Sequence, residues 1–245
     1  GIQASQGDYF QSVKGGGHGD YKLIVFGPDS VQEAIDIVYG AFDIADKYRT
    51  PVMILADGLI GQMMEPVTMP EFKSDEEIKV EKPWAATGWH EGCGRPRAII
   101  NSLYIEDEAL EALHERLQAR YRIIEQNEVR YEYYNIEDAE VILIAYGTIS
   151  RVCRSAIDEL AEEGIKVGMV RPITLWPFPS QAVLDAVAQP SVKKALAVEI
   201  SAGQMVEDAR LAVNGLKEVA FLGYPGSKIA TVEEIIAKVK ALREE

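Results

Sequence analysis

The second half of the chain alternates short apolar runs with amphipathic helical stretches, and this alternation limits the folds open to the chain. The apolar run 141–146 is followed by a turn and by a helical stretch that ends at Gly164. Three more apolar runs follow, separated by predicted helices: residues 165–170, 195–199 and 219–222. Strands and helices that alternate in this way form a parallel sheet covered by helices. We therefore predict an α/β fold with a doubly wound parallel sheet.

An earlier unit has the same strand–helix–strand order. Residues 22–26 and 52–56 are apolar runs, and residues 31–45 carry apolar side chains at helical spacing. Ser30 and Glu33 have the spacing of a capping box, which predicts the start of this helix. Two apolar strands joined by a helix indicate a parallel crossover. Because this unit, read from Gly1, is too short to be complete, we expect the chain to be part of a larger enzyme assembly.

The stretch between the two α/β parts lacks a clear period. Residues 58–101 contain several prolines and a charged segment at 74–82, which together predict a long connection. Residues 105–130 are predicted to form one long, charged and solvated helix. The chain is thus expected to have two lobes joined by a linker.

The charge balance disfavours several classes of function. The chain has 25 Lys and Arg residues against 39 Asp and Glu residues, a net charge of −14. This charge repels phosphate backbones and anionic membranes, so we expect no nucleic-acid or membrane partner and a cytoplasmic location. Cys93 and Cys153 lie far apart without a CxxC motif, so no disulfide framework, zinc site or iron–sulfur cluster is expected from this chain alone.

A glycine-rich segment around His18 invites a phosphate-binding interpretation. Phosphate loops usually follow a strand and open a helix, whereas residues 15–19 precede a strand and lack the established motifs. A structural loop is therefore favoured over a phosphate site. His18 could act as a proton shuttle, because imidazole titrates near neutral pH, but a structural hydrogen-bonding role is favoured.

Two other segments lie where α/β proteins place functional groups. Residues 147–150 could hold an anion at a helix N-terminus, although capping by Thr148 or Ser150 is favoured. Glu199 ends a predicted strand, where a functional role and a structural hydrogen bond are equally plausible. His90 and His114 have no partner at metal-ligand spacing. Spacing alone does not settle the reaction.

Resemblance to a known family adds information. The segments 5–11, 14–21, 50–58 and 60–66 resemble the alpha subunit of 2-oxoacid:ferredoxin oxidoreductases, especially the branch that acts on branched-chain 2-oxoacids. The tail, including 144–148, 163–167 and 171–179, resembles a transketolase C-terminal-like domain. The resemblance implies a partial pyrimidine-type thiamine-diphosphate domain at 1–66, a linker and connecting helix at 67–135, and a transketolase C-terminal-like domain at 136–245.

The resemblance also implies an activity and partners. The family uses thiamine diphosphate to decarboxylate a 2-oxoacid, transfers the acyl group to coenzyme A and passes electrons to ferredoxin. A beta subunit would complete the thiamine site and hold its metal ion. Iron–sulfur clusters would lie in partner subunits, including ferredoxin-like or gamma subunits. This chain alone is expected to be inactive.

The family's activating glutamate and its Tyr-Pro-Ile-Thr-Pro segment are expected before the first residue. The catalytic residues are therefore expected upstream, while Gln3, Ser5, Gln6 and His18 are the candidates for lining the cofactor or substrate channel. No metal ligand is assigned to this chain. Two alternatives remain open: a beta-type chain of a 2-oxoacid dehydrogenase or transketolase relative, and a non-catalytic scaffold subunit.

Overall fold

Two β-sheets with surrounding helices make up the fold. The computed structural model describes residues 3–82, 84–226 and 228–244, so Gly1, from which the first unit was read, lies outside the described residues. The strands are β1 (Ile24–Phe26), β2 (Val52–Ile54), β3 (Tyr131–Tyr134), β4 (Val141–Ile144), β5 (Val167–Pro172), β6 (Thr174–Trp176), β7 (Lys194–Glu199) and β8 (Val219–Gly223). The helices are α1 (Tyr9–Val13), α2 (Val31–Tyr48), α3 (Asp75–Glu81), α4 (Asp107–Asn127), α5 (Thr148–Glu162), α6 (Ser180–Val187), α7 (Met205–Val213) and α8 (Val232–Glu244), with a 3₁₀ turn at Ile60–Gln62.

The larger sheet has the strand order β3-β5-β4-β7-β8. Its four strands β5, β4, β7 and β8 are parallel, and β3 joins the β5 edge in antiparallel orientation. Every residue of β4 is buried, with Ile142 and Ile144 in one core cluster and Val141 and Leu143 in the other. A parallel sheet buried on both faces needs a helical layer on each. Helices α5 and α8 form one layer, and α6 and α7 form the other.

The smaller sheet has the order β2-β1-β6 and contains two strands from the first half of the chain and one from the second. Strands β1 and β2 are parallel, as the sequence predicted, and α2 connects them. Strand β6 follows β5 closely along the chain but pairs in antiparallel orientation with β1. Because β5 and β6 are adjacent along the chain, the pairing of β6 with β1 connects the first α/β unit to the larger sheet. None of the helices in the described segments is long and apolar enough to cross a membrane.

The predicted α/β fold and the parallel arrangement of the apolar strands are confirmed. The sequence did not reveal β3 or β6. Strand β3 falls within the stretch assigned to the linker, and both strands are short and pair in antiparallel orientation with sequence-distant strands. Such strands owe their existence to tertiary pairing, which local propensity does not report.

Two helix starts differ from expectation. The charged segment at 74–82 forms α3 rather than only a loop, and Ser74 and Glu77 make a full capping box there. At α2, the Ser30 Oγ accepts from the Glu33 N–H at 3.1 Å, but the returning half of the predicted box is absent. The Glu33 carboxylate instead accepts from the Asp29 N–H at 2.8 Å and binds Arg171. The predicted return bond to Ser30 is thus replaced by a bond to the Asp29 N–H and a long-range ion pair with Arg171.

Gly168 on β5 lies close to the turn that precedes β4, and a substitution at this position tests the importance of that approach. A Cβ atom at this position would lie 2.6 Å from Ile136 Cα and 2.8 Å from Asn135 O. Because backbone cannot yield as a flexible side chain does, Gly168→Ala should lower the free energy of unfolding by about 1–3 kcal/mol. Urea denaturation measures this change.

Gly40→Ala is the matched control. Gly40 lies within α2, and nothing lies within 4 Å of a Cβ placed there. Alanine favours a helix, so this change should raise the free energy of unfolding by about 0.5–1 kcal/mol. Equal effects of the two substitutions would contradict the packing argument.

Candidate functional site

The carboxyl ends of β2, β4 and β7 meet beside the start of the described chain. We call this region the strand-end site and define it as residues 3–7, 57–58, 146–148 and 199–201. In open α/β sheets, the carboxyl ends of the strands are the usual place for ligands. Here the ends of both sheets contribute, since β2 belongs to the smaller sheet and β4 and β7 to the larger one.

Gln6 joins the N-terminal segment to the larger sheet. Its Nε2 donates to Tyr146 O at 2.8 Å, and its Oε1 accepts from Ile200 N at 2.8 Å. The Gln6 backbone N–H also donates to Ile200 O at 2.7 Å. The residue is 4% exposed, so these bonds satisfy a buried amide. The structure places this candidate at the site, where its side chain is fully engaged by backbone groups.

Asp57 places a carboxylate at the N-terminus of α5. Its Oδ2 accepts from Thr148 N at 3.0 Å, and its Oδ1 accepts from Thr148 Oγ1 at 2.8 Å. Oδ1 also accepts from Leu59 N at 3.0 Å. The expectation that Thr148 or Ser150 caps α5 is wrong: Gly147 is the N-cap, without a side-chain cap bond, and Ser150 Oγ donates to Gly147 O. The helix does hold an anion there, but it is a carboxylate from the smaller sheet.

Glu199 likewise places a carboxylate at the N-terminus of α7. Its Oε2 accepts from Ser201 Oγ, Gln204 N and Met205 N, and its Oε1 accepts from Val206 N, over 2.8–3.1 Å. The side chain is 1% exposed. Of the two interpretations that the sequence left open, the structure supports the structural one, because these bonds occupy both carboxylate oxygens.

Gln3 and Ser5 remain on the surface of the site. Both are exposed, unlike Gln6. Ser5 Oγ accepts from Gly7 N at 3.0 Å and donates to Ile200 O at 3.4 Å, a long bond. This hydroxyl is therefore positioned by the backbone but is free to reorient toward a ligand. Ala4 and Ser5 also approach Gly58 and Gly226, which brings two further loops to the same edge.

Tyr146 carries a buried polar atom without a partner. Among the described residues, its hydroxyl is buried and makes no hydrogen bond. Burial raises the pKa of this hydroxyl well above its usual value, and the Glu199 and Asp57 carboxylates raise it further. The neighbouring Tyr9 ring lies 5.9 Å away, and its hydroxyl donates to Asp208 Oδ2 at 2.6 Å. Burial and then Asp208 raise the pKa of Tyr9 in the same direction.

His18 lies in the exposed glycine-rich loop. No hydrogen bond or ion pair among residues 3–82, 84–226 and 228–244 links it to Ser5 or Gln6. The loop is held instead by Tyr21, whose hydroxyl accepts from Gly16 N, and by Gln118, which donates to Asp20 O. The structure thus brings Ser5 and Gln6 together and leaves His18 outside their contacts.

Glu65 links α2 and α5 to the segment that follows Gly58. Arg151 on α5 donates to Glu65 Oε1 at 2.8 Å, and Val31 N donates to Glu65 Oε2 at 3.0 Å. The Val31 N–H and the Arg151 guanidinium lower the pKa of the Glu65 carboxyl. Within the described segments, no group of three or more His, Cys, Asp or Glu side chains is arranged to hold a metal ion.

The roles of Asp57 and Tyr146 were not predicted from the sequence. Asp57 was visible as the residue that ends a predicted strand, and Tyr146 as the last residue of another. The partner of Asp57 on α5 lies 91 residues away in sequence, and the Tyr146 hydroxyl has no partner among the described residues, so spacing carried no signal for either role. Position at the end of a buried strand was the available clue.

Two family models match the chain. Residues 1–128 match the model described as pyruvate flavodoxin/ferredoxin oxidoreductase, thiamine diP-bdg. Residues 139–235 match the model described as pyruvate:ferredoxin oxidoreductase core domain II. Together the two models cover the strand-end site and every strand except β3, which lies between the two matched ranges.

Individual relatives agree with these matches. The chain is 42% identical over 241 residues to ketoisovalerate oxidoreductase subunit VorB of Methanothermobacter marburgensis, covering 98% of this chain and 66% of that protein. It is 30% identical over 267 residues to 2-oxoglutarate synthase subunit KorA of the same organism, of which 69% is covered. The chain thus spans about two thirds of the length of these curated relatives.

A solved structure shares the fold. The 2-oxoglutarate:ferredoxin oxidoreductase from Magnetococcus marinus, with 2-oxoglutarate, coenzyme A and succinyl-CoA bound, superposes with a TM-score of 0.75. The sequences are 22% identical, and the match covers 98% of this chain and 46% of that one. The match supports the expected combination of a thiamine-diphosphate-type domain with a transketolase C-terminal-like sheet.

Asp57→Ala tests the carboxylate at the N-terminus of α5. The change leaves the buried Thr148 N–H and hydroxyl without their acceptor, so the free energy of unfolding should fall by about 1–3 kcal/mol. Asp57→Asn keeps one acceptor oxygen and should lose less. Asp20→Ala, an exposed aspartate, is the control and should change stability by less than about 0.5 kcal/mol. A loss at Asp57 no larger than at Asp20 would show that the contact is unimportant.

Proposed function

The chain belongs to the pyruvate flavodoxin/ferredoxin oxidoreductase family, and on that premise we propose that it is a subunit of a thiamine-diphosphate-dependent 2-oxoacid:ferredoxin oxidoreductase. The enzyme would convert a 2-oxoacid and coenzyme A to an acyl-CoA and carbon dioxide, and pass two electrons to ferredoxin. The observation that carries this proposal is the match of residues 1–128 to a thiamine-diphosphate-binding family model.

A branched-chain 2-oxoacid is the proposed substrate. The relative at 42% identity is named for ketoisovalerate, whereas the relative at 30% identity is named for 2-oxoglutarate. A branched-chain acid ends in an apolar group, and 2-oxoglutarate ends in a second carboxylate. The net charge of −14 would repel that second carboxylate more than an apolar side chain.

We further propose that the chain takes the place of the alpha-type subunit. Residues 1–66 would be the later half of a pyrimidine-binding domain, 67–135 a linker with a connecting helix, and 136–245 the transketolase C-terminal-like domain. A beta subunit would complete the thiamine site and hold its metal ion, and partner subunits would carry the iron–sulfur clusters and meet ferredoxin. The resemblance of segments 5–11 and 14–21 to alpha subunits supports this division.

The residues of the strand-end site fit a wall of a thiamine-diphosphate site. Bound thiamine diphosphate would supply the electron sink for decarboxylation. The buried Tyr146 hydroxyl, which has no partner among the described residues, marks a place where this wall can still accept a polar contact. Gln6 and Asp57 are satisfied within the chain, so their role would be to keep the wall in place.

The proposed contacts to the ligand are Ser5, Gln3 and His18. The Ser5 hydroxyl is positioned by Gly7 N and could donate to a 2-oxoacid carboxylate, which is a stronger acceptor than the Ile200 carbonyl at 3.4 Å. Gln3 offers an exposed amide beside it. Gln6 would hold this segment in place through Ile200 and Tyr146. His18 would reach the channel only from the neighbouring glycine-rich loop.

The activity itself is tested in the assembled enzyme. The chain, in its full-length form with its partner subunits, should reduce a viologen dye when given 2-oxoisovalerate, coenzyme A and thiamine diphosphate. Pyruvate and 2-oxoglutarate should give a lower kcat/KM. Reduction that does not depend on thiamine diphosphate, or its absence with all three acids, would disprove the proposal.

Ser5→Ala tests the proposed contact to substrate. Loss of a hydrogen bond to a charged group should lower kcat/KM for the 2-oxoacid by roughly 10–100-fold, mainly through KM. Ser102→Ala, an exposed serine in the linker, should leave the kinetics unchanged. If the two variants behave alike, Ser5 does not contact the substrate.

A further inference from the structure

A cluster of arginines and tryptophans lies away from the strand-end site, between the end of α2, α4 and the linker. One cavity of about 230 Å³ is lined by Arg49, Trp84, Arg95 and Arg97, together with apolar residues of the segment 96–100. A second cavity of about 360 Å³ shares Arg95 and Arg97 and adds Trp89. We call the two together the arginine–tryptophan cavity.

The cationic groups of this cavity are not neutralised by carboxylates. Arg49 Cζ lies 4.9 Å from the centroid of the Trp84 ring, and Arg120 Nη1 on α4 donates to Arg49 O at 3.2 Å. Among the ion pairs of the described residues, none involves the following arginines: Arg49, Arg95, Arg97 and Arg120. In a chain with 39 acidic side chains, a cluster of cations left without them is available for an external anion.

Hydrogen bonds of Arg95 stabilise the segment that lines the cavity. Its guanidinium donates to Thr87 Oγ1 at 2.9 Å and to the carbonyls of Ala85 and Gly88. The Trp89 indole N–H in turn donates to Arg95 O at 3.1 Å. These bonds fold the segment 84–97 back on itself, so that Trp84 and Trp89 flank the arginines without the support of a helix or strand. Arg97 is exposed and makes none of these contacts.

We propose that the arginine–tryptophan cavity binds an adenine nucleotide that carries at least two phosphate groups. Guanidinium groups recognise phosphate oxygens through paired hydrogen bonds. A tryptophan face stacks on a purine ring, because every base presents a π-face. The two features side by side match the two parts of a nucleotide. Coenzyme A and free ADP share this chemistry, so the ligand could come from either source.

The proposal is tested by direct binding, which needs no turnover. Its coenzyme A arm rests on the proposed function, whereas its ADP arm does not. Isothermal titration calorimetry on the full chain would compare coenzyme A, ADP and inorganic pyrophosphate. The two nucleotides should bind, and pyrophosphate should bind at least tenfold more weakly because it lacks the base. Tighter binding of coenzyme A than of ADP assigns the site to a coenzyme, and equal binding assigns it to a free nucleotide.

Substitutions in the arginine–tryptophan cavity test whether the nucleotide binds there. Arg97→Ala should weaken nucleotide binding at least tenfold, and Trp84→Ala should weaken nucleotide but not pyrophosphate. Arg122→Ala is the control, because Arg122 is exposed on α4 two positions from Arg120 and hence on another face. Far-ultraviolet circular dichroism checks that each variant is folded.

Four results would overturn the proposal. One is the absence of binding by both nucleotides, and another is equal binding by pyrophosphate and ADP, which would indicate a simple anion site. The third is an effect of Arg97→Ala no larger than that of Arg122→Ala. Displacement of ADP by a polyglutamate peptide at lower concentration would likewise overturn it in favour of an acidic protein partner.

Discussion

The contact between Asp57 and the N-terminus of α5 is the constraint on which the strand-end site depends. Asp57 follows β2 of the smaller sheet, whereas α5 follows β4 of the larger one. Because the carboxylate is buried, it needs N–H and O–H donors, and the first residue of α5 provides both. The need to satisfy one buried charge therefore fixes the ends of β2 and β4 beside each other, and Gln6 can then bridge to Tyr146 and Ile200.

A second buried charge also stabilises this junction. Arg171 on β5 is almost wholly buried and makes two bonds to Glu33 at 2.8 Å, with Glu132 at 2.9 Å. It ties α2 to β5 and to the edge strand β3. Removing one partner of such a group leaves a buried charge uncompensated, which typically costs about 3–5 kcal/mol. The two lobes are thus joined by ionic contacts as well as by β6, so they are expected to move as one body.

The sequence predicted those parts of the fold whose signal is local. Buried parallel strands such as β4 and β7 are continuous apolar runs, and α5 has a clear helical period, so each was recognised from its own residues. Strands β3 and β6 are defined by partners far away in the chain, and no local pattern reports such partners. The same reason explains the site: Ser5 and Gln6 were found through family resemblance, whereas the engagement of the Gln6 amide by Ile200 depends on tertiary structure.

The distribution of charge at the strand-end site differs from that expected for so acidic a chain. At the strand-end site, the carboxylates of Asp57 and Glu199 are turned inward and satisfied by helix N-termini, which leaves the neutral side chains of Gln3 and Ser5 at the surface. A 2-oxoacid is itself an anion, so an approach past buried and hydrogen-bonded carboxylates costs less than one past exposed carboxylates. Capping α5 and α7 with its own acids therefore does more than stabilise two helices, because it turns two carboxylates away from the surface that the proposed anionic substrate would approach.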